Sequence, residues 1–529
     1  MKHAIRNLLQ FDTPYRRFEL TETESEGTPS FFAQRRARRA RIEPVRGTLS
    51  RRLNANRKTL FALFHGADNT DLILKAFRIG GSREALAASL NGMADETKIG
   101  DFILRPCHRA AADAPKHGVI PYLTESVLTM SETECSADWQ TVVTAITEGR
   151  TAILVDGETQ AILCDTRGFV SRPVEKPQNE MTILGPKEAF TENIRTNVTL
   201  LRRILKRPDF VCKFRSSGGT NRTVLALAYL DGTIRPELLR EAERRLDAIR
   251  TDGALSVGRI EQLIEDYTYL PTPQMLKTER PDRAARAILD GRLVLLVEGS
   301  PLAGVLPITL QAIMESGEDA DMRQPVGTVV RCIRMLGAAL SVWLPAYFLA
   351  LALHHPGQLS SEILETVIAS RAMVFLPLSV EMIFLLLVFQ LVREAGLRVP
   401  GAIGQAIGII GGLLLGQAAV SANIVSTVVL IIVALTGLGN FAIPDYSAQV
   451  AIAYDRILLC LAASAAGLLG ITVAGMGILA VLCTLKSFGV PFLTPFAPVT
   501  KRSDGLLIRK RIRNRAAPSD WSNPERRRE

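Results

Sequence analysis

The apolar positions of residues 60–308 fall into short runs that alternate with helical stretches of mixed polarity. The clearest runs are residues 151–155, 160–164, 224–229 and 293–297. Apolar runs of this length between polar residues are typical of buried strands. Because proline is favourable in a first helical turn, Pro186 and Lys187 predict a helix that runs to Lys206, and Pro236 predicts another that ends near Arg250. The pattern predicts a mixed α/β domain.

This α/β pattern is repeated along the chain. Three pairs of similar strings occur in the same order: residues 71–78 with 209–215, Leu90-Asn-Gly with Leu230-Asp-Gly, and residues 149–157 with 291–299. The members of the pairs are separated by 138, 140 and 142 positions. A nearly constant spacing over three matches predicts a duplicated domain with two α/β subdomains, residues 59–170 and 171–330.

The following stretch, residues 335–500, is much more apolar. Its 166 positions hold 11 charged side chains, whereas charged residues make up 22% of the whole chain. Five segments are long enough for a helix to cross a hydrocarbon core of about 30 Å. They are residues 335–353, 372–392, 402–420, 423–443 and 457–484. The sequence therefore predicts a membrane protein with an α-helical transmembrane domain of four to five helices, residues 331–500.

The arginines that flank these segments predict an orientation. Arg331, Arg334, Arg393, Arg398 and Arg456 fall on one side of the membrane, and basic residues favour the cytosolic side. The α/β domain is therefore expected in the cytosol. Five complete crossings would place the basic C-terminal tail on the opposite side, against the same rule, so one segment is expected to be re-entrant or interfacial.

Composition adds two basic ends to this picture. Residues 1–58 carry 14 basic and 6 acidic side chains, and residues 501–529 carry 10 and 4, whereas the whole chain has a net charge of +10. The excess charge thus lies outside the predicted folded body, which argues against a nucleic-acid-binding enzyme. Residues 1–58 are predicted to be a disordered arm, which is either a solvated tail or a contact for anionic lipid or nucleic acid.

Motifs for catalysis or metal binding are missing from the sequence. It has no Gly-x-x-x-x-Gly-Lys-Ser/Thr, His-Glu-x-x-His or Gly-x-Ser-x-Gly string. The seven cysteines lack paired spacing, which argues against a disulfide scaffold or a zinc site. The first 30 residues lack the apolar core of a signal peptide. We expect no enzymatic activity, no cofactor and no metal.

The predicted membrane domain contains a stripe of glycines at four-residue spacing, which places them along one face of a helix. The stripe comprises Gly404, Gly408, Gly412 and Gly416. Polar side chains near it are Gln405, Gln417 and Asn423. Such spacing usually serves close helix packing. It also suits a helix around a symmetric pore, with the polar groups facing water or ions, and the two interpretations are compatible.

Glu381 is the acid within the second predicted membrane segment, about midway along residues 372–392. A carboxylate at that depth must face protein or water. It would attract ions in a symmetric oligomer or carry protons in a transporter. The structural alternative is that it pairs with a neighbouring helix.

Several strings together resemble the GerA-type spore germination family, which includes the A subunits of germinant receptors and their SpoVAF-like relatives. The strings are Gly185-Pro-Lys-Glu-Ala-Phe-Thr-Glu-Asn-Ile-Arg-Thr-Asn197, Leu201-Arg-Arg203, Leu296-Val-Glu-Gly-Ser-Pro301, Val392-Arg-Glu-Ala-Gly396, Gly404-Gln-Ala-Ile-Gly408, Gly416-Gln-Ala-Ala-Val420, Phe441-Ala-Ile-Pro-Asp-Tyr446 and Ser487-Phe-Gly-Val-Pro-Phe492. The resemblance covers residues 60–500. Departures include Glu298, where the family tends to have Asp, and Leu386 and Gln390, where it has further glutamates.

The resemblance implies a multi-pass subunit of a germination complex in the inner membrane of the bacterial spore. It implies a homo-oligomer, a pentamer, that opens as a ligand-gated channel and releases cations. The implied partners are a transporter-like B subunit and a lipoprotein C subunit, or a SpoVAF-type partner, together with membrane lipid but no nucleic acid. The strongest motif is interpreted as a cytosolic interface. Its residues are Gly185, Pro186, Glu188, Phe190, Glu192, Arg195, Thr196, Asn197, Arg202 and Arg203.

Three alternatives remain open at the level of sequence. The chain could be a SpoVAF-like channel that amplifies the germination signal, a membrane scaffold without conductance, or a secondary transporter. A transporter usually has inverted membrane repeats. The repeat visible here lies in the α/β domain instead.

Overall fold

The computed structural model describes residues 47–110, 118–130, 132–168, 177, 180, 184–218, 222–251, 256–398, 416–494 and 496–497. These residues form two compact units. The first, called the sheet unit, comprises the described residues of 47–265 together with Met275–Pro307. The second, called the helical unit, comprises Asp266–Gln274 and the described residues from Ile308 onward. The basic tail 501–529 and most of the arm lie outside the described residues.

The first half of the sheet unit is a five-stranded antiparallel sheet with helices on both faces. Its elements are α1 Leu53–Leu63, β1 Leu72–Ile79, β2 Arg83–Leu90, α2 Glu96–Lys98, α3 Arg105–Arg109, α4 Val119–Tyr122, β3 Thr133–Ser136, α5 Trp139–Thr147, β4 Thr151–Val155 and β5 Ala161–Cys164. The strand order is β1-β2-β4-β5-β3. Helices α1 and α5 bury apolar side chains against one face, and α3 and α4 cover the other.

The second half of the sheet unit repeats this arrangement. Its elements are α6 Ile194–Ile204, β6 Phe210–Ser217, β7 Thr223–Leu230, α7 Pro236–Asp247, α8 Val257–Ile264, β8 Leu276–Thr278, α9 Pro281–Leu289, β9 Leu293–Val297 and β10 Ala303–Leu306. The strand order is β6-β7-β9-β10-β8, again antiparallel. Strands β6, β7 and β9 begin 138, 140 and 142 residues after β1, β2 and β4. The prediction of two α/β sheets from a duplication is confirmed.

Two sequence-based boundaries differ from the structure. The predicted arm extends to residue 58, but Leu49 and Asn56 are buried and α1 begins at Leu53, because the apolar side of this helix packs against the first sheet. The helix predicted at 187–206 begins only at Ile194, the start of α6. The helix predicted from Pro236 does begin at that residue, as α7.

The helical unit consists of helices around an apolar core. They are α10 Leu310–Met314, α11 Gln324–His354, α12 Ser361–Arg371, α13 Leu378–Arg398, α14 Thr427–Phe441 and α15 Tyr446–Thr484. A small hairpin, β11 Lys486–Ser487 and β12 Val490–Pro491, follows α15. Within the described residues, α11 and α15 are long and apolar enough to cross a membrane, and α14 is a shorter apolar helix. The predicted number of four to five crossings stays a prediction.

Helix α15 is interrupted near its middle. Ala466 and Gly467 have backbone angles outside the helical region, and Gly467 has a φ of 59°. A Cβ atom on Gly467 would lie 2.8 Å from Cβ of His354, which is the last residue of α11. Glycine is therefore suited to this break both by its left-handed conformation and by the close approach of α11.

Candidate functional site

The motif at residues 185–203 forms a folded-back loop that leads into α6. Asn197 is buried, and its side chain closes the loop: its Oδ1 accepts from Thr191 N at 2.7 Å, and its Nδ2 donates to Thr191 O at 2.6 Å. Asn193 caps the helix by accepting from the backbone N–H groups of Arg195 and Thr196. These bonds hold residues 191–193 in a non-helical conformation, so the helix begins at Ile194 and not at Pro186 as the sequence predicted.

An acid from the end of a strand also holds the start of α6. Glu298, which follows β9, accepts from Ile194 N at 3.1 Å, and Gly299 N donates to Glu192 O at 2.8 Å. A carboxylate at a helix N-terminus satisfies a free N–H and interacts favourably with the helix dipole. The position where the GerA-type pattern has Asp is thus occupied by an acid that anchors the motif.

The first half of the sheet unit contains the same device. Asn56 accepts from Ser50 N at 2.9 Å and donates to Ser50 O at 2.6 Å, and Asp156 accepts from Leu53 N at 3.0 Å. Gly157 N donates to Arg51 O. Sequence reasoning named Asn197 only as an interface residue and missed Asn56. A signal was present, because Ser50 and Asn56 recur as Thr191 and Asn197 at an offset of 141.

Arg202, near the end of α6, is buried between the two halves. Its Nε and Nη2 donate to Asp71 Oδ2, both at 3.2 Å, and its Nη2 donates to Asn69 Oδ1 at 3.1 Å. Its guanidinium lies 4.8 Å from the ring centroid of Phe210. Burial raises the pKa of Asp71, and the charge of Arg202 opposes that effect. Arg202 therefore joins the two halves of the chain and is not part of an exposed surface.

The corresponding acid in the second half uses a different partner. Asp209 occupies the place of Asp71, but it accepts from Arg207 Nε and Nη2 at 2.8 and 2.7 Å, only two residues away. The residue at the place of Arg207 in the first half is Asn69, and the residue at the place of Arg202 is Phe61, which is exposed. The two halves thus repeat the fold but differ in their ion pairs.

The ten motif residues divide by exposure. Exposed residues are Gly185, Pro186, Glu192, Arg195 and Arg203. Half-buried residues are Glu188 and Thr196, and buried residues are Phe190, Asn197 and Arg202. Glu188 and Arg203 form an ion pair at 3.5 Å. Only the exposed group is available to another subunit, so the interface interpretation is restricted to it and remains a prediction.

Glu381 lies in the first turn of α13 and not midway along a membrane segment. This part of the prediction was wrong, because the chain leaves the helical conformation after Arg371 and α13 begins at Leu378. Glu381 is fully buried, and its Oε1 accepts from both the N and the Oγ of Ser426 at 2.6 Å. Its Oε2 accepts from Arg371 Nε at 3.3 Å. The acid therefore joins α12, α13 and the start of α14.

Part of the predicted glycine stripe is described. Gly416 packs against Leu430 of α14, where an added Cβ would lie 3.4 Å from the leucine side chain. Gln417 and Asn423 are exposed in the protomer. Gly404, Gln405, Gly408 and Gly412 lie outside the described residues. Elsewhere, Gly439 of α14 meets Gly337 of α11 so closely that a Cβ on Gly439 would overlap the carbonyl oxygen of Gly337.

Two arginines used for the orientation argument are paired with acids. Arg334 donates to both carboxylate oxygens of Asp319, at 2.7 and 3.0 Å, and Arg331 donates to Glu315 at 2.5 Å. The positive-inside rule counts charges that interact with the membrane surface. Because these two charges are matched by local acids, they support the predicted orientation less than the sequence implied.

Comparison with known proteins identifies a family that matches most of the chain. A family described as "Bacillus/Clostridium GerA spore germination protein" matches residues 59–519. The chain belongs to the GerA family. This GerA match includes the motif before α6 and all the described helices from α10 to α15. It also includes the contact between the two halves of the sheet unit around Arg202 and Asp71, called the junction below.

Individual GerA-family relatives match at about one third identity. Spore germination protein KA of Bacillus subtilis is 31% identical over 436 residues, which cover 82% of this chain and 80% of that protein. GerLA of Bacillus cereus is 34% identical over 429 residues, covering 81% and 87%. The uncharacterized membrane protein YfkQ of Bacillus subtilis is 31% identical over 451 residues, which cover 85% of this chain and 87% of that protein.

A solved structure is also similar to part of this GerA-family chain. It is the N-terminal domain of the A subunit of the Bacillus megaterium spore germinant receptor GerK3, with 27% identity and a TM-score of 0.40. The match covers 49% of this chain and 96% of that one. The resemblance inferred from the sequence is confirmed by the family match. GerA is a germination protein family and not an enzyme family.

The junction in this GerA-family chain includes an ion pair that responds to pH. His65 Nδ1 lies 3.1 Å from Asp231 Oδ2, and this hydrogen bond raises the pKa of His65 above the value of about 6.5 that is usual for histidine. Because the folded-state pKa is raised, the pair stabilises the fold fully below pH 6.5, and its contribution is lost as the pH rises through the folded-state value.

Between pH 6 and pH 8, the free energy of unfolding of the sheet unit should therefore fall in the wild type. It should fall by up to about 1 kcal/mol more than in the His65→Gln variant, which lacks the titrating group. Hydrogen exchange of the β1 and β6 amides in the full-length protein would measure this difference. Asp231→Asn should flatten the pH dependence in the same way. Equal slopes in the wild type and both variants would contradict the assignment.

Proposed function

We propose that this chain is a membrane subunit of a spore germination complex, of the germinant receptor A subunit type, and that it forms a ligand-gated ion channel with identical copies. The GerA-family match over residues 59–519 carries the proposal, because it spans the sheet unit and the apolar helical unit together. Opening of the channel would release cations and trigger germination. The expected assembly is a pentamer.

Two features of the helical unit support a membrane role. Helices α11 and α15 have the length and composition of membrane spans. Gly337 and Gly439 let α11 and α14 approach at backbone distance, as small residues do in membrane helix pairs. We propose four to five crossings in the inner membrane of the spore, with the sheet unit in the cytosol. The proposed partners are a transporter-like B subunit and a lipoprotein C subunit.

A membrane scaffold without conductance is the second candidate. The observation that favours it is the full set of hydrogen bonds around Glu381, which leaves the buried carboxylate engaged with Ser426 and Arg371. Gly416 likewise packs against Leu430. Both residues then serve helix packing. A SpoVAF-like amplifying channel would use the same architecture with a different partner.

Conductance of the purified oligomer in a planar bilayer separates these candidates. We expect single-channel currents from the wild type, and Gly416→Leu should change the unitary current because the larger side chain would press on Leu430 of α14. Gly477→Leu is the matched control, because a Cβ on Gly477 meets nothing within 4 Å. Absence of current from correctly assembled wild type would reject the channel and leave the scaffold. Flux that requires a co-transported substrate would indicate a transporter.

A further inference from the structure

Two arginines of the helical unit are buried and have no acidic partner among the residues that the structure describes. Arg393 of α13 is 8% exposed and Arg456 of α15 is 1% exposed. No carboxylate of the described residues lies within 4.0 Å of either guanidinium. Arg202 and Arg245, which are buried to a similar degree in the sheet unit, each contact a carboxylate. A buried charge left uncompensated is strongly destabilising, so these two arginines need another source of negative charge.

The contacts of the two guanidinium groups are few and neutral. Arg456 Nη1 donates to Ser341 Oγ at 3.1 Å, and Arg393 Nη1 donates to Gln449 Oε1 at 3.4 Å. Arg393 also lies over the ring of Tyr446 at 5.6 Å. Within the part of the chain that is described, Arg456 Nε and Arg393 Nε and Nη2 are buried with no hydrogen-bond acceptor.

These groups belong to one region of the helical unit. Gln449, which contacts Arg393, precedes Arg456 by seven residues on α15. Gln449 and Arg456 therefore lie two turns apart on one face of the helix, about 10 Å from each other along its axis. Ser341, which contacts Arg456, approaches Gly439 of α14, because a Cβ on Gly439 would lie 3.3 Å from Ser341 N.

Asn440, the residue next to Gly439 in α14, carries an unsatisfied amide. It is fully buried, and neither its Nδ2 nor its Oδ1 has a hydrogen-bond partner among the described residues. Gln390 Oε1 of α13 is likewise buried and accepts no hydrogen bond from the described residues. Among the described residues, Arg393, Arg456, Asn440 and Gln390 together hold four nitrogen atoms and two oxygen atoms that are buried without a hydrogen-bond partner.

We propose that a halide ion such as chloride binds here, between α13, α14 and α15. The ion accepts hydrogen bonds from the N–H groups of Arg393, Arg456 and Asn440. Water alone would satisfy the hydrogen bonds but would leave two positive charges uncompensated. Among the described residues neither Arg393 nor Arg456 has a carboxylate within 4.0 Å, although Glu394 and Asp455 adjoin them in sequence. The low exposure of all three binding residues favours a monatomic ion over an organic anion or a lipid headgroup.

Thermal unfolding of the full-length protein in detergent tests the site. At equal ionic strength, we expect a higher melting temperature in sodium chloride or bromide than in sodium gluconate, with a single-site dependence on halide concentration. Arg456→Met should weaken the apparent halide affinity at least about tenfold, since a charged ligand to the ion is lost. Arg323→Met is the matched control, because Arg323 is exposed at the start of α11 and should leave the halide response unchanged.

Several results would overturn the proposal. One is an equal melting temperature of the wild type in chloride and gluconate, and another is an undiminished halide response in Arg456→Met. If Arg456→Met does not fold, Asn440→Leu retains the side-chain volume and removes the amide, and a wild-type response in that variant would also overturn the site. Stabilisation that requires added phosphatidylglycerol and not halide would assign the charge to a lipid phosphate instead.

Discussion

Replacing Arg202 by methionine is expected to lower the free energy of unfolding of the sheet unit by about 3–5 kcal/mol. Methionine keeps much of the side-chain volume but removes the charge that faces Asp71. The carboxylate of Asp71 then stays buried without its cation, which is the costly way to break a buried ion pair. Hydrogen exchange of amides in β1 and β6 of the full-length protein would report the change, because both strands adjoin the junction.

The neighbouring residue provides a matched control. Arg203 is exposed and pairs with Glu188 at 3.5 Å, so Arg203→Met should cost less than about 1 kcal/mol. Adding Asp71→Asn to Arg202→Met should recover part of the loss, because it removes the uncompensated charge. Similar losses in Arg202→Met and Arg203→Met would show that the buried pair does not hold the two halves together.

Gly92→Ala is expected to destabilise the same junction by about 2–5 kcal/mol. Gly92 follows β2 with a φ of 76°, and a Cβ atom there would overlap Oγ1 of Thr199 on α6. The left-handed conformation costs a residue with a Cβ about 1–2 kcal/mol, and overpacking costs about 1–3 kcal/mol more. Thermal unfolding and hydrogen exchange of the full-length variant would measure the total.

Duplication supplies the control for this experiment. Gly232 occupies the same turn in the second half, with a φ of 74°, but a Cβ on it meets nothing within 4 Å. Gly232→Ala should therefore show only the backbone cost, about 1–2 kcal/mol. Thr199→Ala should relieve part of the Gly92→Ala defect and none of the Gly232→Ala defect. Equal losses in the two glycine variants would mean that α6 does not press on the first half.

The sequence was sufficient to predict the two sheets and their relation. Buried strands appear as short apolar runs, and the offsets between similar strings equal the offsets between β1 and β6, β2 and β7, and β4 and β9. These features depend on local composition and on repetition, so they can be read from one sequence. The apolar character of the helical unit was equally visible, because a membrane span requires a long uncharged stretch.

Features that depend on distant contacts could not be predicted. The start of α6 is held by Glu298, 104 residues later, in addition to the local bonds of Asn193 and Asn197, although Pro186 is locally favourable for a helix. Arg202 adjoins the exposed Arg203, and its burial depends on Asp71, 131 residues earlier. The environment of Glu381 depends on Ser426, 45 residues later, which a hydropathy pattern does not include.

The ion pairs of the two halves also limit how the repeat can grow. The first half offers Asp71 to an arginine of the second, whereas Asp209 of the second half is already neutralised by Arg207, two residues away. Helix α1 in turn carries Phe61 where α6 carries Arg202. A third copy placed after the second half would meet Asp209, which is already paired. A third copy placed before the first half would meet Phe61 in the place of an arginine. The buried ion pair that joins the two modules is therefore particular to their order in the chain, and it is not a contact that each module could make with the next.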